Sequence, residues 1–292
     1  MPAVDLHHFR CAIALAEHGT FTRAAATMHM TQPSLSYVIS RMESELGTAL
    51  FDRRPRAVAL TPAGEALLAP ARAAVAEADR AAAAVAEVRG MIVGTLHVVS
   101  VRLAALELAA IVAPFHERHR AVRLTIGDPA GDGEVADQIR RREADVALMR
   151  SSLAPLDLVS IAITRQDVMV VGSAHTEPST GPLSLADLAE LPMIAPPASS
   201  PARRQFDRLF ASQELVPNVV VECASHDLTL ELVRLGVGVA LTSAAHASAV
   251  DAGRVWSRPI SGLEPTELCL VHRRSALSPA AGAFCREATG VA

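Results

Sequence analysis

The sequence predicts an α/β protein with an all-α N-terminal segment. Three observations predict it. Residues 5–46 hold short amphipathic helix runs separated by polar breaks; residues 62–89 form one long Ala-rich run; residues 91–292 alternate strand-like with helix-like stretches. With 292 residues, half of them hydrophobic, the chain can build two or three compact units. Its formal net charge is −4, so any contact with nucleic acid has to come from a local patch. All 27 basic residues are Arg, a bias toward Arg that matches the bias toward Ala.

The elements follow in order. Residues 5–18 read as a helix with Leu6, Phe9, Ile13 and Ala16 at helical spacing, ended by Gly19. Thr20 can cap a second helix carrying Phe21, Ala24, Ala25 and Met28 on one face. Thr31 can cap a third, with Pro33 in its first turn and Gly47 as its stop. Its apolar stripe is Leu35, Val38, Ile39, Met42 and Leu46. Leu50 and Phe51, then Val58 and Leu60, suggest two short strands with Asp52–Arg56 as the turn, which puts Arg53, Arg54 and Arg56 on an exposed hairpin.

Thr61 and Pro62 open the long helix, expected to reach Arg89. Thirteen of its 28 residues are Ala, and Leu68, Ala71, Val75, Ala78, Ala82 and Val85 recur by threes and fours. That spacing is a coiled-coil seam whose small side chains allow close approach, so a second copy of the chain is the expected partner. Pro70 is expected to kink it.

From Gly90 onward the pattern is βαβαβ: a strand in "GTLHVVSV", a helix over 103–119, a strand in "AVRLTIG", a helix over 132–142 and a strand in "ADVALMR". It requires a mostly parallel sheet covered by helices. Next come a strand over 166–172, a helix over 184–190, the strand "PMIAP", a helix over 201–213 and the strand "NVVVEC". A helix over 226–235, the strands "GVGVALT" and "TELCLVHRR", and a helix over 279–288 complete two α/β lobes.

The third helix raises a chemical question, because its second face is polar without being a Glu-rich solvated face. Gln32, Ser36 and Ser40 lie four apart, with Pro33, Tyr37 and Arg41 beside them. Gln pairs bidentately with adenine, Ser and Arg reach phosphates or base edges, and the helix start favours a phosphate. An arginine hairpin follows directly, so this pair of helices reads as a DNA-binding helix-turn-helix.

The blocks "FTRAA", "TQPSLS", "ELGTALFDR" and "LTPAGE" resemble the N-terminal winged helix-turn-helix of LysR-type transcriptional regulators, nearly continuously over residues 4–68. The rest resembles that family in layout, with "GVGVAL" matching a Gly-rich turn and strand of the second lobe. The resemblance implies a winged helix-turn-helix over 4–61, a dimerising linker helix over 62–90, and over 91–292 an effector domain of two lobes like a periplasmic binding protein. The first lobe is expected over about 91–162 and 266–292, the second over about 163–265.

The resemblance further implies that Gln32, Pro33, Ser34, Ser36 and Tyr37 contact double-stranded DNA. Thr22 and Arg23 are implied to touch phosphate, and Arg53 and Arg54 to reach the backbone or minor groove. Many family members carry Arg or Gln where this chain has Tyr37, which alters the bases preferred there. A small effector is implied between the lobes, near Ser100, Arg102, Asp132 and Arg150 of one and Ser199, Ser200, Ser225, Thr242 and Ser243 of the other. Serine hydroxyls, helix starts and two arginines suit a small organic acid. A homodimer through the linker helix, joined into a homotetramer through the lobes, is the implied assembly.

Other functions find little support. Ser225, His226 and Asp227 are adjacent in sequence and cannot align as a catalytic triad. His116 and His119 lack a third metal ligand, and no dinucleotide or nucleoside-triphosphate motif is present. No enzyme activity, cofactor or metal is expected. Cys11, Cys223, Cys269 and Cys285 are widely spaced and are expected as free thiols. The first residues lack a basic leader, and the longest uncharged run, 235–250, carries Gly, Thr, Ser and His. A cytoplasmic protein with no membrane partner is expected.

Overall fold

The computed structural model describes residues 4–54, 57–127, 129, 132–176, 181–249 and 253–290. The chain forms two compact units: Met1–Gly94 with Arg141–Glu143, and Thr95–Arg140 with Ala144–Ala292.

The first unit opens with α1 (Leu6–His18), α2 (Phe21–Thr27) and α3 (Gln32–Leu46). Each start is fixed by a side chain that accepts from an otherwise orphaned amide: Asp5 from His8 N, Thr20 from Arg23 N and Thr31 from Ser34 N. Their apolar stripes meet in one core of Cys11, Leu15, Ala24, Leu35, Ile39 and Met42. Strands β1 (Phe51–Arg54) and β2 (Ala57–Leu60) pair antiparallel, Phe51 opposite Leu60. β1 therefore takes in Asp52 to Arg54, which were expected in the turn; Pro55 and Arg56 lie outside the described residues.

Helix α4 (Pro62–Glu87) starts where Thr61 Oγ1 donates to the Ala49 carbonyl (2.8 Å) and accepts from Gly64 N (3.1 Å). A side chain at Gly64 would place its Cβ 2.1 Å from the Leu50 carbonyl oxygen, so only Gly fits this start. The helix continues through Pro70 and ends at Glu87, two residues short of expectation. Nor does it wait for a second copy to bury its first turns: Leu68 and Ala71 are buried, α1 packs along it, and Arg10 reaches Asp79 at 2.6 Å. Val85 and Val88 stay exposed.

The second unit contains β3 (Gly94–Ser100), α5 (Ala105–Arg118), β4 (Val122–Gly127), α6 (Asp132–Arg140), β5 (Val146–Arg150) and β6 (Val159–Gln166). It continues with β7 (Val168–Ser173), α7 (Leu185–Glu190), β8 (Met193–Ala195), α8 (Pro201–Ala211), β9 (Val219–Glu222) and α9 (His226–Arg234). Last come β10 (Ala240–Ser243), α10 (Ala244–Ala249), β11 (Val255–Pro259), β12 (Thr266–His272) and α11 (Pro279–Ala288). The first lobe is a five-stranded sheet in the order β4-β3-β5-β12-β6. Strands β3 and β5 are parallel, and Val146 to Met149 are fully buried, as a strand covered on both faces must be. The second lobe has an antiparallel β10-β7-β11 sheet beside the parallel pair β8-β9, over a core that includes Leu188, Met193, Phe206, Phe210 and Trp256.

Several expectations change. The sheets are less parallel than the βαβ pattern implies, because β12 returns antiparallel to both β5 and β6. β6 extends the first lobe to Gln166, so the chain crosses to the second lobe later than residue 162. The helix expected from 103 begins as a 3₁₀ turn, Arg102–Ala104. α10 and β11 were not anticipated, and only Ala240–Ser243 of "GVGVALT" is strand. Before it, Val239 N donates to the Pro192 carbonyl (2.8 Å), and a Cβ at Gly238 would lie 2.4 Å from that oxygen. Among the described residues no helix is long and apolar enough to cross a membrane.

Candidate functional site

The face of α3 opposite its core stripe carries Gln32, Pro33, Ser34, Tyr37 and Ser40, all exposed, with Ser36 half-buried. Tyr37 is 69% exposed, unusual for an aromatic side chain with no described neighbour to cover it. Ser34 is partly engaged already, its hydroxyl 2.8 Å from Thr31 Oγ1. Arg41 pairs with Glu45 at 3.0 Å. Thr22 and Arg23 are exposed at the start of α2. Arg53 and Arg54 stand in β1 opposite Val58 and Ala57; their side chains lie outside the described residues. Sequence reasoning missed Glu43, whose Oε1 accepts from Leu50 N (2.8 Å) and Phe51 N (3.1 Å). That carboxylate ties the α3 helix to the hairpin, so the two polar surfaces are held as one.

In the second unit the two lobes meet where the 3₁₀ turn after β3 faces the start of α9. Arg102, on the first lobe, donates through Nη1 to the carbonyl of Ala224 on the second. The next residue, Ser225, caps α9 by accepting from Leu228 N at 3.3 Å. Thr242 and Ser243 at the end of β10 are buried. Ser243 Oγ lies 2.8 Å from His246 Nδ1, whereas Thr242 Oγ1 is buried without a hydrogen-bond partner among the described residues. Ser100 is buried and donates to the Val101 carbonyl at 3.0 Å. Arg150 is half-buried at the end of β5, opposite Leu268.

Two groups that sequence reasoning did not single out, His246 and Glu107, join His226 at this contact. The rings of His226 and His246 stack edge-on with centroids 4.5 Å apart. Glu107, at the start of α5, accepts from Gln166 and keeps its second oxygen buried without a partner. Burial pushes the His226 pKa down, and His246 and Arg102 push the same way against Asp227. Burial also lowers that of His246, against the pull of Glu107 and Asp227. No sequence signal joins His226, His246 and Glu107, because they come from three helices of two lobes.

A second meeting place lies between α6 and α8, a pocket of about 400 Å³ bordered by Gly133, Asp137, Arg140, Leu153, Arg204 and Arg208. The Asp132 side chain lies outside the described residues. Ser199 is exposed, and Ser200 caps α8 by accepting from Arg203 N at 3.1 Å. Glu222 fixes the loop before them, accepting from Ala198 N (3.1 Å) and Arg203 Nη1 (2.7 Å); the Ala198 amide, then Arg203, hold its carboxyl below the usual range. Among the described residues, none of the predicted ligand residues borders this pocket, and the Ser200 and Ser225 hydroxyls already serve as helix caps.

The other chemistry stays unassembled. The Ser225 hydroxyl is committed to Leu228 N and His226 packs on His246, so no triad forms. His119 faces Glu287 at 2.6 Å rather than a shared ion with His116. All four cysteines are free.

Comparisons with known proteins match both parts of the chain. Residues 6–65 match the family model described as bacterial regulatory helix-turn-helix protein, lysR family, and residues 89–292 match the LysR substrate binding domain. The chain is 34% identical over 235 residues to the HTH-type transcriptional regulator ShiR of Corynebacterium glutamicum (strain R), covering 79% of this chain and 80% of that one. It is 29% identical to the Hca operon transcriptional activator HcaR of Escherichia coli (strain K12) over 95% and 94% of the two chains. Among solved structures, full-length CbnR complexed with its target DNA superposes with a TM-score of 0.70 at 20% identity, covering 99% of this chain and 100% of that one. A full-length OxyR variant from Pseudomonas aeruginosa gives 0.72 at 22% identity, covering 98% and 97%. At such identities these two superpositions speak for the fold alone.

Proposed function

We infer that this chain, which belongs to the LysR family of DNA-binding transcriptional regulators and carries that family's substrate-binding domain, senses a small organic acid between its lobes. It is a regulator rather than an enzyme. The observation that carries the ligand class is Arg102. Its guanidinium reaches across the lobe contact to a neutral carbonyl at the start of α9. A carboxylate makes a charge-assisted bond roughly twice as strong as a neutral one, so an acid competes well for this arginine. The N-terminus of α9 adds a dipole of the right sign. Arg150, at the neighbouring strand end, is the second candidate anchor. Exchange of the Ala224 carbonyl for a ligand changes what holds the lobes together. Coupling of about 1–3 kcal/mol to the DNA-bound arrangement would be ordinary for such a switch.

On the DNA side, Gln32, Pro33, Ser34, Ser36 and Tyr37 read the major groove, Thr22 and Arg23 hold phosphates, and Arg53 and Arg54 reach the backbone or minor groove. Exposure of Tyr37 and Gln32 on a helix anchored from behind supports this assignment. Two copies pair through the uncovered end of α4, where Val85 and, just past the helix, Val88 are exposed. Pairs of dimers join through the lobes, where Leu106, Ile126, Val220 and Leu228 leave apolar side chains on the outer helices and edge strands.

Thermal-shift measurements with a panel of small carboxylates and their neutral amide analogues test the ligand class. Acids should stabilise the wild type, and Arg102→Ala should lose most of that shift while still folding. Stabilisation by the amides alone, or equal acid shifts in wild type, Arg102→Ala and Arg150→Ala, would overturn it.

A further inference from the structure

The N-terminal unit holds a cluster of soft donors that DNA reading does not use. Cys11 is fully buried on α1. His7 stands one turn earlier on the same face of the helix. Met30 approaches from the turn between α2 and α3, just before the Thr31 cap. Cys11 Sγ lies 3.8 Å from His7 Nε2 and 3.9 Å from Met30 Sδ. His8, the adjacent imidazole, is engaged elsewhere, with its Nδ1 2.8 Å from Asp5 Oδ1. His7 is exposed and Met30 half-buried, so the cluster opens to solvent on one side.

These spacings are within reach of the weak hydrogen bonds a thiol makes, and they also match donors that share an ion. With bonds of about 2.3 Å to sulfur and about 2.0 Å to nitrogen, a three-coordinate ion holds its donors about 3.7–4.0 Å apart. The donor types select the ion. Among the described residues no three His, Cys, Asp or Glu side chains converge; the third soft atom beside Cys11 is the Met30 thioether. Thioether beside thiolate favours copper(I) over zinc, magnesium or calcium.

We propose that His7, Cys11 and Met30 form a binding site for a soft monovalent metal ion, copper(I), joining α1 to the turn that leads into α3. Binding moves no electrons. The Cys11 thiol releases its proton to solvent and bonds the ion through the thiolate. Met30 donates a sulfur lone pair, and His7 binds through Nε2 with its remaining proton on Nδ1.

The test uses the full-length reduced chain under anaerobic conditions, with copper(I) shared against the chromophoric chelator bicinchoninate. The wild type should withhold one copper(I) per chain, and X-ray absorption should show two sulfurs and one nitrogen around it. Met30→Leu keeps the volume and apolar character of the core, so folding is preserved. It should weaken copper(I) by more than the roughly tenfold to hundredfold typical of losing an outer partner of a metal ligand. Cys11→Ser, with its fold checked by circular dichroism, should weaken it further, and Cys223→Ser should leave it unchanged. Wild-type affinity in Met30→Leu, an absorption shell with a single sulfur, or loss of copper(I) in Cys223→Ser would each overturn the proposal.

Discussion

The helix-turn-helix unit and the interlobe cleft use the same residue types for different ends. In the first unit, Thr20, Thr31 and Thr61 cap helices, and the polar residues beyond them, Gln32 and Tyr37, stay exposed. In the second unit, Ser200, Ser225 and Ser243 are already hydrogen-bonded by their own segment, and Thr242 Oγ1, His226 Nε2 and one oxygen of Glu107 are buried without a hydrogen-bond partner among the described residues. A surface that reads DNA keeps its donors solvated until the partner arrives. A cleft that closes on a small molecule buries them beforehand, and each buried polar atom without a partner carries a desolvation penalty of about 1–3 kcal/mol.

The sharpest way to break this contrast is to disturb one unit alone. Gly64→Ala forces a Cβ to within 2.1 Å of the Leu50 carbonyl, and the Thr61–Ala49 bond prevents the helix start from retreating. It should destabilise the N-terminal unit by about 3 kcal/mol. The chain's single Trp, Trp256, lies in the second unit and should report an unchanged urea transition there, while far-UV circular dichroism shows helix lost early. Matching shifts in both signals would mean that the units do not unfold separately.

A smaller effect separates cap from ligand anchor. Ser225→Ala should lower the stability of the second unit by about 1 kcal/mol, read by Trp256 fluorescence, because Leu228 N loses its acceptor. An unchanged transition would contradict the capping role. The smallest effect concerns pH. His226 and His246 have folded-state pKa values below the ordinary 6.5. As pH falls below that value, the unfolded chain takes up protons that the folded one refuses, so stability declines with acidification until the folded pKa values are reached. Replacing both residues with Asn should flatten that decline in the Trp256 transition between pH 7 and pH 5; an equally steep decline in the double variant would place its origin elsewhere.

Legibility in the sequence followed the range of the forces involved. The N-terminal helices were readable because their stripes, caps and glycine stops are all local. β6 was missed although "VSIAITRQ" alternates in burial, since an edge strand exposes half its residues and carries no turn signal of its own. α10 and β11 were missed because six and five residues give too little periodicity. The serines of the cleft were ambiguous for a chemical reason: a hydroxyl at a helix start is equally suited to a cap and to an anion. His226 meets His246 through packing of two helices in the second lobe, and Glu107 reaches them only through the lobe contact; no spacing along the chain encodes either.

The central claim is that the exposed face of α3 reads DNA bases, and it can be measured directly by titrating labelled DNA from upstream of this chain's own gene. Gln32→Ala removes a bidentate base contact worth about 1–3 kcal/mol. Specific binding should therefore weaken about fivefold to 150-fold, with binding to unrelated DNA unchanged. Equal affinity of wild type and Gln32→Ala for the specific site, or equal weakening on both DNAs, would contradict the account.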